Sequence, residues 1–352
     1  MLADVVLLNI YYSYTETQQE LAPATANDPG NSTMKQVRQT LAVRLRTIRH
    51  EAAATNTYEF EAVDGAALPP FTAGSHIDLH LPNGLVRSYS LCNDARETHR
   101  YVVGVNRDPA SRGGSSCVHD ALRVGMTLTI GAPQNNFPLF EAAPHTVFIA
   151  GGIGITPIMS MIRRLDALGR SWELHYCTRT PDATAFADTL REDGSRVQFH
   201  HDGVPGGERL DIAALLRRHD AATHFYCCGP VVMLNAFEAA AAPLEDSARF
   251  HVEYFAAQEA PAASGGFTVR LARTDRTIAV EAGKTILDAL LAAGVDVNYS
   301  CSQGVCGACE TRIVEGVPEH RDMVLTKAER EANRSMMICC SGSKSACLVL
   351  DL

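Results

Sequence analysis

In the stretch YSCSQGVCGACE, residues 299–310, three cysteines fall at the spacing C-x4-C-x2-C: Cys301, Cys306 and Cys309. Such a segment has few apolar side chains to bury, so its shape has to come from whatever its sulfurs hold. Cys339 follows 30 positions after Cys309, with Cys340 and Cys347 close behind. Four thiolates can carry two irons and two bridging sulfides, and this spacing is the plant-type one for a 2Fe-2S cluster. Gly304, Gly307 and Ala308 leave room for backbone N–H groups to approach the sulfurs. Zinc is the competing metal, yet structural zinc sites usually pair two C-x2-C knuckles, and the sequence has no second one here. Buried thiols without any metal are the remaining reading.

The 352 residues, 46% hydrophobic and 20% charged, suit a globular protein of two or three domains. A formal net charge of -9 argues against a nucleic-acid partner, which calls for a basic stripe. Eleven cysteines is an odd count that includes the adjacent pairs Cys227-Cys228 and Cys339-Cys340, and no secretory signal precedes them. A reducing compartment, the cytoplasm, is therefore expected. The apolar run at residues 5–10 is too short to span a membrane and lacks a positive charge before it, the first lysine being Lys35. The segment APATANDPGNST that follows is rich in Pro, Gly, Asn and Ser, and residues 1–36 are expected to be a flexible arm.

Short alternating runs such as LAVRLRTIRH, TYEFEAV, SHIDLHL and VRSYSL, broken by LPPFTAG and LPNG, predict an antiparallel β-barrel domain over 37–142. From 143 to 256 the pattern becomes α/β. HTVFIAGG is a buried-type strand, TPIMSMIRRLDALG a helix opened by Pro157 and closed by Gly169, and WELHYCTRT a second strand. HFYCCG and the helix PVVMLNAFEAAAA follow, which means a parallel sheet. Residues 257–266, crowded with Ala, Pro, Ser and Gly, read as a linker. A hairpin, FTVRLARTDRTIAVEAG, and a helix, KTILDALLAAG, then lead to the cysteine loop in an α+β domain over 267–352.

Two motifs in the barrel and two in the parallel-sheet domain suit planar or phosphorylated ligands. In RSYSL, Arg87 can pair with a phosphate, Tyr89 can stack on a flat ring, and Ser88 and Ser90 can offer hydroxyls. Taken alone it is a weak motif and reads more readily as an exposed Arg beside a core Tyr. SRGGSSCVHDAL places Gly113, Gly114, Ser115 and Ser116 before a helix, whose free N–H groups favour a phosphate. AGGIGITPIMSM sets Gly151, Gly152, Gly154, Thr156 and Pro157 between a strand and a helix, where a pyrophosphate can approach the backbone. YCCGP puts Cys228, Gly229 and Pro230 at the end of a later strand, where open parallel sheets bind ligands.

Together RSYSL and RGGSS resemble the flavin-binding elements of the ferredoxin-NADP reductase superfamily. The carboxy-terminal CCSGSKSACLVLDL is similar to the end of the ferredoxin domain in the phthalate dioxygenase reductase and vanillate demethylase reductase family. NNFPL and HVEYF resemble further family segments, and the likeness runs from about Gln39 to Leu352. The resemblance implies a β-grasp ferredoxin domain with Cys339 as the fourth ligand and Cys340 and Cys347 as bystanders. It also implies FMN on Arg87, Ser88, Tyr89 and residues 113–116, Ser90 near the reactive flavin nitrogen, and Cys228 beside the nicotinamide. The implied protein is a monomeric, cytoplasmic reductase that passes electrons from NADH through FMN and the cluster to the terminal oxygenase of a Rieske-type aromatic oxygenase or demethylase. A cytochrome P450 or another acceptor is the alternative, and a non-enzymatic redox sensor a third reading. Arg179 is expected at the adenosine end of the coenzyme. With Asp182 nearby as a hydroxyl acceptor the expectation is NADH, with NADPH possible.

Overall fold

The computed structural model describes residues 39–244, 247–255, 261–262 and 265–352. The expected arm at 1–36 and most of the expected linker at 257–266 lie outside the described residues.

Six strands form the first sheet: β1 (Thr40–Ala52), β2 (Thr55–Ala62), β3 (His76–His80), β4 (Val86–Ser90), β5 (Tyr101–Asn106) and β6 (Thr127–Gly131). Their order is β4-β3-β6-β1-β2-β5, all pairs antiparallel, and a bridge between Leu91 and Val103 joins the two ends into a barrel. The alternation seen in the sequence is the cause. In β1, Val43 and Leu45 are buried while Arg44 and Arg46 point outward. Helix α1 (Gly114–Ala121) lies between β5 and β6 and seals the barrel with Val118.

The second sheet is parallel throughout, in the order β11-β10-β7-β8-β9. Its strands are β7 (His145–Gly151), β8 (Ser171–Thr178), β9 (Val197–His201), β10 (Thr223–Cys228) and β11 (Phe250–Glu253). Its helices are α2 (Ile155–Ala167), α3 (Ala187–Arg191), α4 (Ile212–Arg217) and α5 (Val231–Ala241). α2 begins two residues before Pro157, the expected opener. Proline is tolerated in a first turn because its missing N–H would have had no partner in the helix. α2 packs on one face of the sheet and α4 and α5 on the other. The α2 core also takes in Ala52, Ala73, Cys92 and Phe137 from the barrel side, so an apolar contact joins the parallel sheet to the barrel, whose own interior is a separate core.

The third sheet is mixed and ordered β13-β12-β18-β14-β16, with a small ladder of β15 and β17 beside it. It contains β12 (Phe267–Leu271), β13 (Thr277–Val280), β14 (Glu310–Glu315), β15 (Pro318–Glu319), β16 (Ser335–Met337), β17 (Gly342–Ser343) and β18 (Cys347–Leu350). Helix α6 (Ile286–Ala292) is gripped by this sheet in β-grasp fashion and starts with a reciprocal cap between Thr285 and Asp288. A second capped helix, α7 (Lys327–Ala332), precedes β16. The core here is built from residues 267–352 alone.

Candidate functional site

The cysteine loop lies between α6 and β14. Cys301, Cys306, Cys309 and Cys339 are all nearly inaccessible, 3–4% exposed. Ser302, Gly304 and Gly307 adopt the left-handed conformation, which folds the chain back on itself three times in six residues. A Cβ on Gly304 would lie 2.4 Å from Cys340 Sγ, so only glycine fits there. The amide of Cys301 donates to Cys306 Sγ at 3.4 Å, and that of Gln303 to Cys301 Sγ at 3.3 Å. The sulfurs also meet one another. Cys301 links Cys306 to Cys339, which in turn reaches Cys309, and these contacts drive the Cys306 and Cys309 thiols well up from their ordinary range.

Four buried thiols in mutual contact keep their protons, and as thiolates they would repel one another unless a cationic metal centre, which would deprotonate them, balanced their charge. The residues therefore fit a 2Fe-2S cluster. Cys340 is fully buried and turned toward the Met337 carbonyl, and Cys347 is exposed on β18, so neither joins the set. Asp322, also fully buried, accepts from the amides of Val324 and Leu325, while the Met323 amide donates to the Gly304 carbonyl and braces the loop.

A cavity of about 410 Å³ opens beside this loop, within the size range of small-molecule sites. One wall is β4, with Arg87, Ser88, Tyr89 and Ser90. Gly114 and Ser115 of the glycine-serine turn, Thr156 of α2, and Cys301 and Cys306 complete the expected residues in its lining. Arg87 lies across Gly114, where a Cβ would come within 2.9 Å of its Nε. Burial pushes the Tyr89 phenol far up, so it stays neutral. Ser88 Oγ donates to Asp78 Oδ1 at 2.6 Å and lies 3.3 Å from Ser300 Oγ, so that hydroxyl is already engaged. Gly113, left-handed, caps α1, while the Ser116 amide donates to Ser111 Oγ. These two stand behind the lining.

The nucleotide motifs meet at the carboxyl ends of β7 and β10. A Cβ on Gly154 would sit 2.2 Å from the Cys228 carbonyl, and one on Gly151 2.6 Å from Pro230 Cδ. A Cβ on Gly229 would come within 2.9 Å of the Gly151 backbone, so bare glycines let the two turns abut. Gly152 has a positive φ, and Pro157 is buried in the first turn of α2. Arg179 stands apart from the cavity at the end of β8, well exposed, and pairs with Asp202 at 3.1 Å; Asp202 also holds Arg209. The Asp182 carbonyl accepts from the Ala53 amide on the barrel side.

The sequence reading passed over Glu253. It ends β11 in register with Cys228, and its Oε2 lies 3.8 Å from Cys228 Sγ. Burial pushes its carboxyl up to about 8. Cys228 is buried behind the lining, whereas Glu253 reaches the cavity along with Tyr254 and Phe255. The signal was present in HVEYF, where a single acid sits among apolar and aromatic neighbours beside the YCC strand. Asn136 was also missed. Its Nδ2 donates to the Cys306 carbonyl at 2.9 Å and ties the barrel exit to the cysteine loop.

A family model described as a 2Fe-2S iron-sulfur cluster binding domain matches residues 269–344. The phenoxybenzoate dioxygenase subunit beta of Ectopseudomonas oleovorans is 54% identical over 314 residues, which is 89% of this chain and 97% of that protein. The solved structure of phthalate dioxygenase reductase, described as a modular structure for electron transfer from pyridine nucleotides to [2Fe-2S], superposes with a TM-score of 0.70 at 40% identity. It covers 89% of this chain and 98% of its own. An intact type IV self-sufficient cytochrome P450 monooxygenase superposes with a TM-score of 0.79 at 37% identity; this chain, matched over 89% of its length, spans 41% of that longer one.

Proposed function

The chain belongs to the family of phthalate dioxygenase reductase, and on that premise we propose that it is the reductase component of a Rieske-type aromatic oxygenase or demethylase, carrying electrons from NADH to the oxygenase through FMN and a 2Fe-2S cluster. The observation that carries this reading is the shared cavity: β4 of the barrel, Thr156 of α2, Glu253 of β11, and Cys301 and Cys306 all line one space. When bound, the flavin divides a two-electron hydride into single electrons and the cluster relays them one at a time.

The residues divide the remaining work. The Arg87 guanidinium and the free amides at the start of α1 hold the FMN phosphate. Tyr89, neutral and half-buried, packs on the ring, and Ser90 sets a hydroxyl near its reactive edge. Gly151, Gly152 and Gly154 bring backbone to the pyrophosphate of the dinucleotide. Cys228, Gly229 and Pro230, backed by Glu253, shape the place of the nicotinamide and exclude water from it. Cys301, Cys306, Cys309 and Cys339 hold the cluster, and the amides of Cys301 and Gln303 bias its charge.

Among the described residues no helix is long and apolar enough to cross a membrane. The protein works as a cytoplasmic monomer with the oxygenase as its docking partner. The likeness to a P450 fusion names the rival acceptor. The test is reconstitution: anaerobically purified protein should show flavin and 2Fe-2S absorbance, reduce cytochrome c with NADH, and support turnover of a Rieske oxygenase. Turnover with a P450 alone would reassign the acceptor, and failure to reduce cytochrome c would end the reading.

A further inference from the structure

A second cluster of metal-binding side chains lies at the opposite end of the parallel sheet, and no step of electron transfer uses it. His145 is the first residue of β7, Glu173 the third of β8, and His219 lies in the turn between α4 and β10. We propose that His145, Glu173 and His219 bind a divalent transition-metal ion of the zinc type, with water completing its coordination. Strand rise puts this site about 20 Å from Gly151 at the far end of β7.

The register of the sheet brings the three together. β8 lies beside β7 with Ser171 level with His145 and Glu173 level with Val147, while β10 on the other side places Thr223 level with His145. One donor atom from each of the three residues lies within 4.8 Å of the other two. His219 Nε2 is 3.1 Å from Glu173 Oε1, and the rings of His145 and His219 stack at 5.5 Å. Bonds of about 2.0–2.2 Å from zinc to imidazole and carboxylate span such separations with small side-chain movements. Two imidazoles and one carboxylate form a donor set of the kind zinc accepts.

The surroundings are those of a supported site. Ser171 Oγ, 2.8 Å from His145 Nδ1, fixes that ring, and His175 Nε2, 3.2 Å from Glu173 Oε1, fixes the carboxylate. His175 is itself held by His200 at 3.1 Å. Outer contacts of this sort orient metal ligands. The protonation states also suit a metal. His175, followed by its neighbouring histidines, keeps the Glu173 carboxyl below its usual range, and burial lowers His145 toward its neutral form. Glu173 and His219 keep 25% and 17% of their side-chain surface exposed, so an ion and its water can enter. A bound ion would clamp the α4–β10 turn to β7 and β8.

The experiment is equilibrium dialysis of the holoprotein against micromolar Zn²⁺, with metal analysis and with the visible spectrum recorded to verify that the cluster thiols stay occupied. The expected result is one zinc per chain beyond the cluster iron, with affinity reduced at least about tenfold in both His219→Gln and Glu173→Gln and unchanged in the exposed His80→Gln. NADH-dependent cytochrome c reduction in the variants establishes that they are folded. No zinc retained by the intact holoprotein, or equal retention by the parent and both variants, overturns the proposal.

Discussion

Glu253 holds a proton that an ordinary glutamate would release. Its carboxyl titrates near 8 in the fold because burial disfavours the charge, against about 4.3 in an unfolded chain. Between those values the folded protein binds more protons than the unfolded one, so stability falls as pH rises through that window. In Glu253→Gln this loss should vanish. The melting temperature of the parent should drop relative to the variant between about pH 5 and pH 8, by the equivalent of a few kcal/mol at most. Parallel curves for the two proteins would mean that the carboxyl is not strained. Arg179 gives a second prediction at this scale. Asp202 already neutralises it, and an acid at the end of the neighbouring strand disfavours a 2′-phosphate. NADH should therefore have the higher kcat/KM, and Arg179→Ala should weaken both coenzymes. A tenfold preference for NADPH, about 1.4 kcal/mol, that the variant erases would reverse the assignment.

Among the elements, the cysteine loop depends on its glycines for two separate reasons. Gly304 and Gly125 both have positive φ, but only at Gly304 would a Cβ meet another group, Cys340 Sγ. Gly125→Ala should thus cost only the conformational penalty of about 1–2 kcal/mol. Gly304→Ala should in addition displace the loop and leave the protein short of iron, measured as iron and sulfide per chain. Full occupancy in Gly304→Ala would show that the loop yields without losing its centre. The same loop explains what could be read from the sequence. That Cys301, Cys306 and Cys309 come together was legible because their spacing is local, whereas the proposal of Cys339 over Cys340 rests on resemblance and on side-chain direction. β1 to β4 were legible through alternation. β15 to β17 were not, since strands of two or three residues carry too few periods to stand out. Glu253 was missed because one acid in a strand normally marks its solvent face.

For the whole molecule, the barrel has its own core but lends a few apolar residues to the α2 core of the parallel sheet, while the core of the third sheet stays within its own segment. Val305 and Met323 rest on the α4–α5 side of the parallel sheet, and the barrel reaches the cysteine loop through the Asn136 and Ser88 contacts. Polar contacts of this sort contribute about 0.5–1.5 kcal/mol each, enough to bias a position without locking it. Asn136→Ala should therefore slow NADH-driven reduction of cytochrome c several-fold, which runs through the cluster. Reduction of ferricyanide directly from the flavin should be unchanged. If both rates fall together, Asn136 acts on the flavin site and not on docking.

The place of β18 in the third sheet has a consequence for biogenesis. This strand sits in the middle, between β12 and β14, yet all four cluster cysteines precede it in the chain. During synthesis the thiols leave the ribosome before the strand that unites the sheet exists, so the cysteine loop meets solvent without its scaffold. Iron-sulfur insertion and closure of the sheet then become coupled events. A chain stopped after residue 345 should be translated with every ligand present and still carry no acid-labile sulfide.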